Sequence, residues 1–163
     1  MKKNAKVFFD ALKGKLHGDE IIKAEKKMKE LEGVFADEAA YRALDMEEVV
    51  YEVEMHLPAG TVEGGLNFGI STIHPGKVGE EYYMTKGHFH EIRNRAEYYW
   101  GIAGSGLLLL VDEAGTSTTE EVTPGTLHYI PGNVAHRLIN TGEDKLVVGA
   151  CWPSDAGHDY AAF

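Results

Sequence analysis

The chain has 163 residues, 44% of them hydrophobic and 26% charged, which suits one globular domain with a real core. Acidic residues outnumber basic ones 26 to 16, and the net charge of -10 argues against nucleic acid and anionic membrane surfaces as partners. A single cysteine, Cys151, rules out an internal disulfide and reads as a small core residue; with no apolar run of signal-peptide or membrane-spanning length, a cytoplasmic protein is expected.

Residues 1–46 are the least regular part and read as a partly helical extension packed on the β-rich remainder of the chain. Ile21, Ala24, Met28 and Leu31 fall near helical spacing, but Gly14, Gly18 and Gly33 cut the region short and leave a strand or extended arm open. Asp37 predicts the cap of a short helix from Glu38 to Leu44 with an acidic first turn. The lysines at 23, 26, 27 and 29, interleaved with Glu25 and Glu30, read as a solvated face.

From Glu48 onward the pattern is β, so residues 47–163 are taken as one barrel. Val49, Tyr51, Val53 and Met55 alternate with Val50, Glu52 and Glu54. Further strands are predicted at Leu66 to His74, Tyr82 to Phe89, Glu97 to Ile102, Leu107 to Val111 and Ser117 to Val122. Leu127 to Ile130, His136 to Asn140 and Leu146 to Trp152 complete the series. Gly-, Pro- and Asp-rich turns separate them. About nine short strands without intervening helices mean an antiparallel sandwich or barrel.

Within this frame, Thr85-Lys86-Gly87-His88-Phe89-His90 stands out. On a strand His88 and His90 would share a face, and a turn through Arg93, Asn94 and Arg95 would return Glu97 beside them. His136 comes after the turn at Pro131-Gly132-Asn133. Three imidazoles and a carboxylate suit a divalent first-row metal. His56, His74 and His128 have no such company and read as ordinary polar groups. Gly87, just before the ligands, reads as a point of close backbone approach, where an exposed N–H could cradle a phosphate oxygen.

His88-x-His90, six residues, Glu97, six residues and Gly104 resemble the first cupin motif. Gly125, Pro131-Gly132-Asn133, His136 and Asn140 resemble the second, with Asn133 where glycine is usual. The interval from His90 to Glu97 is longer than most cupins use. The resemblance implies an all-β jelly roll.

Leu66-Asn67-Phe68, Pro75-Gly76-Lys77-Val78-Gly79, the stretch from Thr85 to His90, Arg95-Ala96-Glu97 and Pro153-Ser154-Asp155-Ala156-Gly157-His158-Asp159-Tyr160 are similar to the cupin-type glucose-6-phosphate isomerases. That likeness implies a homodimer interconverting glucose 6-phosphate and fructose 6-phosphate with one divalent metal per chain, iron first, with Mn, Ni, Co or Zn as alternatives. By the same likeness His88, His90, Glu97 and His136 hold the metal. Tyr51, Ser71, Thr85, Gly87 and Trp152 bind phosphate, while Tyr99, His158 and Tyr160 face the sugar. Glu97, His158 and Tyr99 are the candidate catalytic residues. Trp152 stands where tyrosine is common, and Ser71 where threonine is. A cupin dioxygenase and a non-catalytic sugar-binding cupin are the alternatives; the match from Asp155 to Tyr160 argues against the first and the intact ligand set against the second.

Overall fold

The computed structural model describes residues 2–161. The extension begins with β1 (Val7–Asp10) and β2 (Lys15–Gly18), which form an antiparallel hairpin that no sequence pattern announces. Next comes β3 (Ile21–Lys27), a strand where the apolar spacing suggests a helix. It lies at the edge of the main sheet beside β4 (Val49–His56), which supplies its hydrogen-bonding partners. A single 3-10 turn comes next at Met28–Glu30. The capped helix α1 (Glu38–Arg42) forms at its predicted place, and the Asp37 side chain accepts from the Ala40 N–H at 2.9 Å.

The remaining strands are β5 (Leu66–Ile73), β6 (Lys77–Val78), β7 (Glu81–Tyr82), β8 (Glu97–Ala103), β9 (Gly106–Asp112), β10 (Ser117–Val122), β11 (Leu127–Ile130), β12 (Val134–Ile139) and β13 (Leu146–Pro153). A six-stranded sheet runs β11-β8-β13-β5-β4-β3, and a three-stranded sheet runs β10-β9-β12. Every pairing in both is antiparallel.

The two sheets bury one core between them. Val50, Ile73, Ile130 and Val148 come from the larger sheet and Leu108, Val122 and Leu138 from the smaller. Met28, Leu31 and Tyr41 join the same cluster from the N-terminal region. The hairpin covers part of the other face of the large sheet, where Leu16 packs with Ile70 and Val147. These are the two facing antiparallel sheets of a cupin-like jelly roll.

The segment expected as a strand from Tyr82 to Phe89 is different. After β7 it continues as isolated bridges, Met84 to Ile139 and His88 to His136 along β12, then Phe89 to Asp159 of the tail. Gly87 has φ of +74°, a left-handed conformation that interrupts a regular ladder and that glycine adopts without strain. Arg137 of β12 braces this irregular stretch, donating to the Lys86 carbonyl at 2.9 Å and to Met84 Sδ at 3.0 Å.

Candidate metal centre

The backbone bridge between His88 and His136 brings the two motif halves together. His88 N–H donates to the His136 carbonyl at 3.2 Å, and the reverse bond is 3.1 Å. Neighbouring bridge partners place their side chains close together, and the two imidazole centroids are 4.4 Å apart. Asn133, with φ of +63°, makes the turn that starts β12. Glu97 is the first residue of β8, opposite Ile130. His90 lies between, its ring 5.5 Å from that of His136.

One ligand atom from each of His88, His90, Glu97 and His136 lies within 4.8 Å of the others. Glu97 Oε1 is 3.1 Å from His90 Nε2 and 2.6 Å from His136 Nε2. These atoms are buried, yet none of the three Nε2 atoms nor Glu97 Oε1 has a hydrogen bond of acceptable geometry. Buried polar atoms are nearly always satisfied, so four unsatisfied ones aimed at a common point mark a ligand site.

The tautomers agree with this. His90 Nδ1–H donates to the Arg95 carbonyl at 2.7 Å, and His136 Nδ1 faces the Val134 carbonyl at 3.4 Å. A proton fixed on Nδ1 leaves the Nε2 lone pair free for a metal. Burial pushes the His88 imidazolium down to about 2, so this ring is neutral. Burial opposes ionisation of Glu97, but His136 and His90 outweigh it and hold the carboxyl at about 2. Three imidazoles and one carboxylate fit a divalent cation.

A cavity of about 260 Å³ opens beside this centre. Of the predicted site residues, Tyr51, Ser71, Thr85, Gly87, His88, Glu97, Tyr99, His136, Trp152, His158 and Tyr160 line it, while His90 sits behind. Tyr99 packs edge-on against His136, with centroids 5.5 Å apart. His158 comes within 4.4 Å of the His88 ring and stacks on Tyr160 at 5.8 Å. Thr85 Oγ1 already accepts from the Leu138 N–H at 3.0 Å, leaving its own proton to donate. Trp152 fits because Gly69 faces it. A Cβ there would meet the indole at 3.0 Å.

Two lysines that the sequence pattern does not single out also belong to the site. Lys26, expected on a solvated face, and Lys86 both line the cavity. Lys86 Nζ lies 5.3 Å from the Tyr160 ring centre, and Lys26 pairs with Glu30 at 2.9 Å. Reading residues 21–27 as a strand would have put Lys26 on the same face as Ala24 and revealed it. Away from the cavity, His128 is satisfied by Glu120 Oε2 at 2.6 Å and Thr126 Oγ1 at 2.8 Å. His74 Nε2 stands 3.7 Å from Glu52.

Comparison with known proteins gives the same direction. The family model of glucose-6-phosphate isomerase matches residues 25–163. The glucose-6-phosphate isomerase of Thermococcus kodakarensis is 44% identical over 138 residues, covering 84% of this chain and 72% of the relative. That of Pyrococcus furiosus is 41% identical over 140 residues, covering 85% and 74%. Among solved structures, oxalate decarboxylase from Bacillus subtilis superposes with a TM-score of 0.53 at 21% identity, covering 68% of this chain and 27% of that one. Oxalate oxidase gives 0.51 at 15% identity, covering 60% and 46%. At such identities the structural likeness speaks to the fold alone.

Proposed function

Because the chain belongs to the glucose-6-phosphate isomerase family, we propose that it interconverts glucose 6-phosphate and fructose 6-phosphate at this cavity, in glycolysis and gluconeogenesis. The observation that carries the reading is the set of four buried, unsatisfied ligand atoms beside a cavity lined with hydroxyls. His88, His90, Glu97 and His136 would hold one divalent cation. Iron is the metal proposed, and Mn, Ni, Co or Zn would suit the same nitrogen and oxygen donors. Such a cation would supply Lewis-acid polarisation of the sugar carbonyl.

The chain's own groups do the rest. Burial raises the Tyr99 phenol well above its ordinary range, and neighbouring Glu97 pushes it the same way, so Tyr99 stays protonated and donates. Burial raises Tyr51 to about 12, against a hydrogen bond from the Lys86 backbone, which also keeps it a donor. Tyr51, Ser71, Thr85 and the Gly87 N–H are assigned to the phosphate, with Trp152 offering its indole N–H. Burial lowers His158, leaving it neutral at the sugar edge beside Tyr160. Glu97 is the group assigned to carry the proton between C1 and C2. A hydride shift would leave it as a ligand only.

The protein would work as a homodimer in the cytoplasm. Tyr98, Tyr129 and Leu127 are exposed by 47%, 55% and 67% on the outer face of β8 and β11, a patch that a second copy could cover. Among the described residues no helix is long and apolar enough to cross a membrane.

The test is a coupled isomerase assay, oxygen uptake and elemental analysis on one purified sample. Isomerase activity that falls on chelation and returns on adding metal is the expected result. Activity in a metal-free sample, or oxygen consumption in place of isomerisation, would end the reading. Tyr129→Asp should shift the protein toward monomer in sedimentation, and an unchanged dimer would move the interface elsewhere.

A further inference from the structure

The long interval between His90 and Glu97 carries two arginines, and both reach away from the metal ligands to the irregular tail after β13. Arg95 grips Asp155 with two bonds, Nε to Oδ1 at 3.0 Å and Nη2 to Oδ2 at 2.6 Å. Arg93 Nη2 donates to Asp159 Oδ2 at 2.6 Å, while its guanidinium lies 4.3 Å from the Phe89 ring centre. Backbone bonds fill the space between. Ile92 N–H donates to the Ala156 carbonyl at 3.0 Å, and Phe89 and Asp159 exchange bonds of 3.1 and 2.8 Å. The two aspartates bracket His158, and Tyr160 comes directly after them.

We propose that residues 91–96 form a clamp in which Arg93 and Arg95 act as positioning residues, fixing His158 and Tyr160 over the metal centre. The part of this that concerns the reaction rests on the isomerase reading above. A tail with no regular strand of its own loses backbone entropy on ordering and needs compensating contacts. Short charge-assisted bonds provide them, and a bidentate Arg–carboxylate pair fixes orientation as well as distance. The Arg95–Asp155 side chains are only 24% and 10% exposed, unlike a solvated surface pair. Because the Arg95 carbonyl also receives the His90 Nδ1–H at 2.7 Å, one short loop sets both a metal ligand and the tail above it. That gives the extra length of the interval a purpose, since misplacing a sugar-facing group by about 1 Å can cost a hundredfold in rate.

The test is the double variant Asp155→Asn with Asp159→Asn, which keeps side-chain size and leaves all four ligands untouched. We expect kcat to fall at least tenfold, metal affinity in a chelator competition to stay within twofold of wild type, and the Phe89, Ile92 and Asp159 amides to exchange faster. The exchanged pair Arg95→Asp with Asp155→Arg should recover part of the loss seen in Arg95→Asp alone. If the pairs served stability only, the melting temperature would fall while kcat per metal-loaded molecule stayed at the wild-type value, and that overturns the clamp. Loss of metal in step with loss of rate also overturns it, placing the effect at His90. Should wild type show no isomerase activity, the reaction assignment fails, and amide exchange decides the clamp: unchanged protection in the double variant refutes it.

Discussion

Two histidine–glutamate groupings in this molecule look alike in composition and differ in what their polar atoms have to do. His128 of β11 meets Glu120 of β10, and both nitrogens of His128 are satisfied, one by Glu120 at 2.6 Å and one by Thr126 at 2.8 Å. His136 and Glu97 are just as close, at 2.6 Å, but point their ligand atoms at a space shared with His88 and His90, where no hydrogen bond forms. Burial does not separate the two histidines, since His128 and His136 are 4% and 1% exposed, although the Glu120 side chain is 45% exposed where that of Glu97 is 3%. Satisfaction does. A buried imidazole with both partners in place is structural, while a group of imidazoles left short of partners is built for something that arrives.

The sharpest way to break this contrast is to remove one histidine from each grouping. His136→Ala should bring both metal content and isomerase rate to background, since it removes one of the four proposed ligands and the one that joins the second motif to the first. Full metal content and rate in that variant would dissolve the centre. His128→Ala should leave metal content at wild type and act on stability alone.

Glu97→Gln tests the carboxylate at nearly constant shape. A fall in kcat of roughly a hundredfold or more is expected for a positioned base, with metal content measured on the same sample. Near-normal turnover with metal bound would favour the hydride route, in which Glu97 only coordinates.

Thr85→Val probes the phosphate end of the cavity. The expected loss is about 1–3 kcal/mol in kcat/KM for the sugar phosphate, the range for a hydrogen bond to a charged group. Unphosphorylated fructose should be unaffected. An equal loss for both substrates would mean that Val has disturbed β12, where the Leu138 N–H loses its Thr85 acceptor.

Two smaller effects complete the contrast. His128→Ala should cost about 1–3 kcal/mol of stability through its lost hydrogen bonds and packing, read as a lower melting temperature with normal kcat. A lost metal site in this variant would erase the distinction between the groupings. In the metal-free protein, the Glu97 carboxyl is held at about 2 against an ordinary 4.5, so as acid is added the unfolded chain takes up its proton first. Its contribution is therefore complete above about pH 4.5 and lost as pH falls toward 2. A Glu97→Gln protein should show a flatter melting profile across that window, and identical profiles would contradict the depressed value.

How far these features could be read from the chain depends on whether their cause is local. Alternation along Val49 to Met55 and along the later strands is a local property of a half-buried strand, so those elements and the jelly roll were legible. Asp37 announced its helix for the same reason, its side chain reaching an amide only three residues on. The candidate metal ligands were also carried by short motifs, the spacing of His88, His90 and Glu97 and the turn before His136, and folding brings their ligand atoms within 4.8 Å of one another.

Tertiary structure decided what depends on a distant partner. Strand β3 has few apolar residues and stands at a sheet edge, so the backbone of β4 makes it a strand, and Lys26 turns into the cavity as a result. The segment from Met84 to Phe89 is held by β12 on one side and by Asp159 on the other, contacts separated by dozens of residues, and Gly87 keeps it from becoming the regular strand that alternation suggested. Arg93 and Arg95 looked like turn residues until the tail lay beside them. The sequence by itself determined which side chains have the chemistry. Only folding determined which of their polar atoms would be satisfied by neighbours and which would be left buried, convergent and without a hydrogen bond, as a candidate metal site.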